Sequence, residues 1–247
     1  MGTRARIQLH GRFAVHVDGR LVERDLPGRR GRLLVAYLAA HRRSAVDRAA
    51  LLEALWRPAG PGDGAVAGFN ALLSKARAAL APIEIRGRSS LQIVLPPDSV
   101  VDAERAAAAL HDAESATGQQ DWPRAWTHAL SALFVTQRQF LSGFEHPWVD
   151  ERRRSAQYDH ERALACYAEA CLHLGPAELP SAERSARRLV ELQPLSEVGY
   201  GLLMRALARR GDHAAALLVY DRLRRVLRDD LGVSPSPATR DLVSRLL

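Results

Sequence analysis

Cysteine is almost missing. Cys166 and Cys171 are the two in the chain, too few for a disulfide framework, and their spacing puts them about 140° apart around a helix. With His173 they spell C-x4-C-x-H, which is not a recognised zinc-ligand spacing, so they read as buried helix cysteines. Long apolar runs are also missing. The longest, Leu33 to Ala40, falls far short of the roughly 18 to 20 residues of a membrane span. The opening MGTRARIQLHGRFAVHV lacks the continuous apolar stretch of a secretory signal, and Arg6 stands where a myristoylation motif has Ser or Thr. The expected location is the cytoplasm, with no membrane partner. Catalytic signatures are absent too: there is no G-x-S-x-G, H-E-x-x-H or Gly-rich dinucleotide loop, and the nine histidines are scattered singly. No enzymatic activity, metal or cofactor is expected.

Lysine is reduced to one residue, Lys75, against 34 arginines. Arginine is therefore the default cation, and where the charge lies is more telling than which side chain carries it. Residues 1–99 hold 16 basic and 8 acidic side chains, and residues 100–247 hold 19 and 20, giving net charges of +8 and −1. A basic N-terminal piece joined to a near-neutral C-terminal piece suits a nucleic-acid binder with an attached protein-interaction domain. At 47% hydrophobic and 26% charged, the 247 residues have globular composition and suffice for one or two domains.

The period is two from Ile7 and Leu9 through Phe13, Val15 and Val17, which predicts strands, and Asp18-Gly19 is a hairpin-turn dipeptide before Leu21 and Val22. After Gly28 it becomes helical, with Leu34, Val35, Tyr37 and Leu38 on one side. Asp47 is a good N-cap for a second short helix carrying Leu51, Leu52, Leu55 and Trp56. RPAGPGDG, residues 57–64, is a loop without the G-K-[ST] of a phosphate cradle. A third helix is expected from Ala65 to Leu80, with Val66, Phe69, Leu73, Ala76 and Leu80 inward. Ala67, Ala71, Ser74, Lys75 and Ala78 face outward, flanked by Asn70 and Arg77. Ile83 and Ile85, then Leu91, Ile93 and Leu95, make a hairpin with a basic tip at Arg86 and Arg88. This order predicts a winged helix-turn-helix, its third helix offered to the major groove and its wing to the minor groove.

Pro96-Pro97 ends this first domain, and no strand pattern follows, only helical segments broken at Gly118, Gly143 to Pro147, Gly175-Pro176, Pro194, Gly211 and Gly232. Arg152 to Arg154 read as a solvated helix face. Ala182 and Ala216 lie 34 residues apart, with Tyr220 four after Ala216 and Pro194 twelve after Ala182. These are tetratricopeptide offsets, in which small residues let paired helices approach. An ordinary helical bundle is the other reading. The predicted fold is mainly α with a small N-terminal α+β domain: a winged helix-turn-helix over residues 1–97, then an all-α tetratricopeptide-like domain over residues 98–247.

These residues resemble the Streptomyces antibiotic regulatory protein (SARP) family, which joins a winged helix to a bacterial transcriptional activator domain. The most specific stretch is QPLSEVGYGLLMRALARRGDHAAALLVYDRLRRVLRDDLGVSPSP, residues 193–237. There Pro194, Glu197, Leu203-Met204, Ala206-Leu207, Gly211, Ala216-Leu217, Tyr220 and Leu231-Gly232 fall as in that domain. RRGRLLVAYLAAHRRSAVDRAALLEALW, residues 29–56, is similar to the family's first two helices, with Arg30 and Arg32 in its basic positions and Trp56 in its usual place. LSKARAAL, residues 73–80, fits the reading helix. Leu72, however, replaces a polar aromatic residue or His, Ala78 replaces a frequent second Arg, and Ser90-Leu91 replaces the wing's Gly-Tyr. Fewer side chains are left to reach bases.

The resemblance implies activation: tandem protomers, a homodimer on DNA, bind direct repeats beside a promoter, commonly of a secondary-metabolite gene cluster, and hold RNA polymerase through its sigma factor. Arg30, Arg32, Asn70, Ser74, Lys75, Arg77, Arg86 and Arg88 are the expected DNA-binding residues. The loop at 57–64 is where a response-regulator-type winged helix often meets polymerase. Longer family members append a nucleotide-binding domain, but no P-loop and no receiver domain are expected here. A second reading stays open: a helical adaptor whose winged helix, with alanines facing outward from its third helix, serves protein contact without reading DNA.

Overall fold

The computed structural model describes residues 4–56 and 64–246. The first elements are β1 (Ala5–Gln8), β2 (Ala14–Val17), β3 (Arg20–Leu21), α1 (Gly28–Ala40), β4 (Val46–Asp47), α2 (Arg48–Trp56), α3 (Ala65–Leu80), β5 (Glu84–Arg86), β6 (Ser90–Val94) and β7 (Val100–Val101). Helices follow: α4 (Asp102–Gly118), α5 (Trp122–Thr136), α6 (Pro147–Leu174), α7 (Leu179–Leu192), α8 (Glu197–Arg209), α9 (His213–Leu231) and α10 (Pro237–Leu246). The fold is mainly α, with a small N-terminal α+β region followed by an all-α region. It divides into two compact units, Met1–Ala106 with Val135–Gln157 and Ala107–Phe134 with Tyr158–Leu247.

In the first unit, β1 and β2 alternate as the period-two pattern requires, burying Ile7, Val15 and Val17. Asp18 and Gly19 take φ of 48° and 84°, the positive angles of a two-residue turn whose twist matches the strands it joins. Behind this sheet α1 buries Leu33, Leu34, Val35 and Leu38. The Asp47 carboxylate accepts from the Ala49 and Ala50 amides at 3.0 and 3.4 Å, capping α2 as expected. The inward stripe of α3 is Ala65, Phe69, Leu73, Ala76 and Leu80. Val66, expected inside, is 60% exposed, and Ala65 takes the first inward place, because Ala65 lies about 40° and Val66 about 60° from Phe69 around the helix. A three-stranded sheet of order β4-β6-β5 completes the winged helix, with Ile85, Leu91 and Ile93 joining the same core.

Two expectations beyond Pro97 are corrected, that no strand follows and that Arg152 to Arg154 share a solvated face. The chain forms one more strand, β7, parallel to β1, and residues 135–157 belong to the first unit, where Phe140, Leu141, Phe144, Trp148 and Val149 enter its core. A two-residue strand gives no alternation to read, and this segment's core residues come partly from irregular backbone, so neither carries a period. Arg153 is not on a solvated face. Its guanidinium donates to the carbonyls of Phe140, Leu141 and Phe144 at 3.0, 3.0 and 2.7 Å and pairs with Asp150. One arginine thus donates to three carbonyls of irregular backbone, of which that of Leu141 also accepts from the Phe144 amide at 3.1 Å.

In the second unit, small residues at helical spacing stack in three layers: Ala109 and Leu110 with Ala132 and Ala163, Ala113 with Ala129 and Cys166, and Ala116 with Ala125 and Ala170. Both cysteines are free and buried, and burial pushes the Cys171 thiol up to about 12. Further along, α8 packs against α7 and α9. A β-carbon on Gly199 would lie 3.1 Å from the Val190 amide nitrogen, so a hydrogen there is what lets α8 approach α7. Ala182 and Ala216, the repeat-spaced small residues, are both buried. Asp212 caps α9 by accepting from Ala215, and Gly232, at φ 68°, ends it.

Candidate nucleic-acid interface

The exposed side of α3 and the β5–β6 hairpin enclose an open groove of about 470 Å³ lined by Arg48, Asn70, Leu73, Ser74, Arg77, Gly87 and Arg88. Among the described residues no carboxylate lines it. The groove exists because α3 buries its opposite face, leaving Asn70, Ser74, Lys75 and Arg77 exposed on the side towards the hairpin or beside it. The hairpin turns at Gly87, where φ is +97° and a β-carbon would stand 1.8 Å from the Ser90 carbonyl oxygen. Only glycine fits.

Four of the eight residues expected from the sequence, Asn70, Ser74, Arg77 and Arg88, line the groove together. Arg77 spans it: Nε donates to the Ile85 carbonyl and Nη2 to the Gly87 carbonyl, both at 2.9 Å, fastening the hairpin to α3. Lys75 is exposed and makes no hydrogen bond or ion pair among the described residues. Arg86 is turned onto the Glu84 carboxylate at 2.6 Å. Arg30 and Arg32 are not brought to the groove. Arg30 lies over the Trp56 ring at 4.7 Å, and Arg32 is half-buried, lining a separate cleft with Arg12, Phe13, Glu23 and Phe144. Residues 57–63 of the loop expected to meet polymerase lie outside the described residues.

Sequence reasoning missed Arg48, which holds the groove together. It opens α2 directly after the Asp47 cap, its guanidinium sits 4.7 Å over the Phe69 ring, and Nη2 donates to Asn70 Oδ1. Nη1 donates to the Arg88 carbonyl at 3.4 Å, while its backbone amide donates to the Ser89 carbonyl at 2.9 Å. A planar guanidinium can stack and donate in its own plane at once, so one residue ties α2, α3 and the wing. The adjacent N-cap was the only signal, and one arginine among 34 does not stand out.

The arrangement could hold a polyanion: guanidinium groups and an amide stand on one rim and a basic hairpin on the other. The Asn70 amide oxygen keeps a second lone pair beside the one that Arg48 takes, and its nitrogen carries N–H donors, so the oxygen can accept from adenine N6–H while the nitrogen donates to N7.

Residues 101–247 match the bacterial transcriptional activator domain family. The chain is 30% identical over 241 residues to the Regulatory protein AfsR of Streptomyces coelicolor, covering 93% of this chain and 23% of that protein. It is 28% identical over 246 residues to the Transcriptional regulatory protein EmbR of Mycobacterium bovis, covering 97% of this chain and 62% of that one. The solved structure of Mycobacterium tuberculosis EmbR in complex with a low-affinity phosphopeptide superposes with a TM-score of 0.87 at 24% identity, over 99% of this chain and 65% of that one, which shows the fold. The chain spans less than two thirds of each of these relatives. It belongs to the bacterial transcriptional activator domain family and, within it, to the Streptomyces antibiotic regulatory proteins.

Proposed function

We propose that the chain is a cytoplasmic, sequence-specific DNA-binding transcriptional activator. In this reading residues 1–97 are the winged helix-turn-helix that meets DNA, and residues 98–247 are the tetratricopeptide-like domain that engages the transcription machinery. Two protomers sit head to tail on promoter direct repeats and hold RNA polymerase through its sigma factor, at a promoter of a secondary-metabolite cluster. The carrying observation is the groove between α3 and the hairpin, with three arginines, Asn70 and Ser74 on its walls and no carboxylate among the described residues that line it. In this role Asn70 and Ser74 face bases, Arg48 presets the Asn70 amide, and Lys75 and Arg88 face phosphates. Arg86 joins the phosphate contacts by leaving Glu84, an exposed pair of little strength. Arg30 and Arg32 add to the field of a +8 region rather than to the groove.

One observation favours the second reading, a helical adaptor: Ala67, Ala71 and Ala78 are exposed on α3 and offer bases no hydrogen bond. A gel shift with total genomic fragments at low salt separates the two. Selective retention of a few fragments supports the activator, and no retention supports the adaptor. Sequencing the retained fragments identifies the promoter.

A further inference from the structure

The loop after α9 is fastened more firmly than a connector needs. The Val233 amide donates to the Leu227 carbonyl at 3.3 Å. The Glu197 carboxylate accepts from the Ser236 amide at 3.0 and 3.1 Å and from its hydroxyl at 2.8 Å, and Arg240 Nη1 donates to the Pro235 carbonyl at 2.8 Å. Yet this rigid backbone holds Val233 half in solvent, at 50% exposure. Across from it α9 presents Leu218, 69% exposed, on one stripe with Asp221, Arg225 and Arg228, and together with Arg224 they line an open groove of about 520 Å³. Two uncovered aliphatic side chains on preorganised backbone, ringed by three guanidinium groups and one carboxylate, are not what a solvated face requires.

We infer that this groove docks an acidic segment of a partner protein, an apolar side chain of that segment seated between Leu218 and Val233 and its carboxylates on Arg224, Arg225 and Arg228. The arginines are available. Arg224 with Asp221 at 3.5 Å and Arg228 with Asp229 at 2.8 Å are exposed pairs, which a partner's carboxylates replace at little cost. The apolar pair selects a peptide over nucleic acid, because a phosphate backbone offers Leu218 and Val233 nothing to bury and meets Asp221 and Asp229 as like charges. The net charge of −1 over residues 100–247 points the same way. The inference rests on reading residues 98–247 as a platform for the transcription machinery and names the surface that does it.

The test uses the full chain and a fluorescent glutamate-rich peptide with a central Leu-Phe pair, followed by anisotropy. Leu218→Ser, Val233→Ser and Arg225→Glu should each weaken binding about tenfold or more, as should replacing the peptide's Leu-Phe by Ser-Ser, with affinity for promoter DNA unchanged. A thermal melt confirms that each variant folds, and Leu218→Gln replaces any that does not. No peptide binding, wild-type affinity in all three variants, or a loss confined to Arg225→Glu that extends equally to DNA would overturn the assignment. In vitro transcription separates the two ideas. Activation that persists in variants with unchanged peptide affinity removes the groove but leaves the platform, and absence of activation by the wild-type chain removes the platform.

Discussion

Asn70 is held at its oxygen by Arg48 and its nitrogen has no hydrogen bond among the described residues, so in the proposed role a base reader at this position is oriented before DNA arrives. Asn70→Ala is expected to cost about 1 to 3 kcal/mol of discrimination at one base pair while lowering affinity for random DNA far less. Competition binding on single-base operator variants measures this, and equal loss on specific and random DNA would remove Asn70 from the reading set. Arg48→Ala should reduce discrimination at that same base pair, and the two changes should be non-additive because they act on one contact. A helical wheel was enough to expose Asn70, Ser74 and Lys75 in the sequence. It could not find Arg48, whose partners on α3 and in the hairpin meet it only in the folded chain. Nor could it find that Arg77, one of the expected DNA-binding residues, donates to the Ile85 and Gly87 carbonyls.

Among elements, the irregular segment before α6 depends on Arg153. Replacing it by Met keeps the aliphatic stem but takes the donor from the Phe140 and Phe144 carbonyls and leaves that of Leu141 only the Phe144 amide, for an expected loss of about 2 kcal/mol or more, read from urea midpoints. A midpoint within error of wild type would return Arg153 to the solvated face. The α8–α10 connection depends on Glu197. Burial pushes its carboxyl up, but the hydrogen bonds from Thr239 and Ser236 outweigh this and hold it below the ordinary carboxylate range. A carboxyl lowered in the folded state stabilises above its unfolded pKa, and that contribution disappears as pH falls through the folded value. Glu197→Gln should therefore be less stable at neutral pH and lose less on acidification, and parallel pH curves would contradict it. The strands β1 to β3, α1 to α3 and the β5–β6 hairpin were legible because each carries its own period or turn dipeptide, whereas β4, two residues long, falls in what reads as a connector and a helix cap. The alanine layers of α4 to α6 and the strand β7 were not, since alanine gives little periodic signal and two residues give none.

At the scale of the molecule, the charge split was legible and the course of the chain was not. Composition alone placed +8 on residues 1–99, but residues 135–157 return to the first unit through long-range packing that no local pattern announces. Direct repeats require a head-to-tail contact between protomers, with repeat centres about 10 to 11 base pairs apart, one turn of the duplex. A half-turn insertion of about five base pairs should abolish cooperative binding in a footprint, and an inverted-repeat footprint would overturn the arrangement. In the proposed function the groove between α3 and the hairpin neutralises DNA phosphates. Affinity for promoter duplex against salt tests it most directly. If about four to six phosphates are met per protomer, log affinity falls against log salt with a slope of roughly −4 to −5, and Arg88→Ala makes it shallower by about 1. A slope near zero, or one that Arg88→Ala and Lys75→Ala leave unchanged, would contradict the claim.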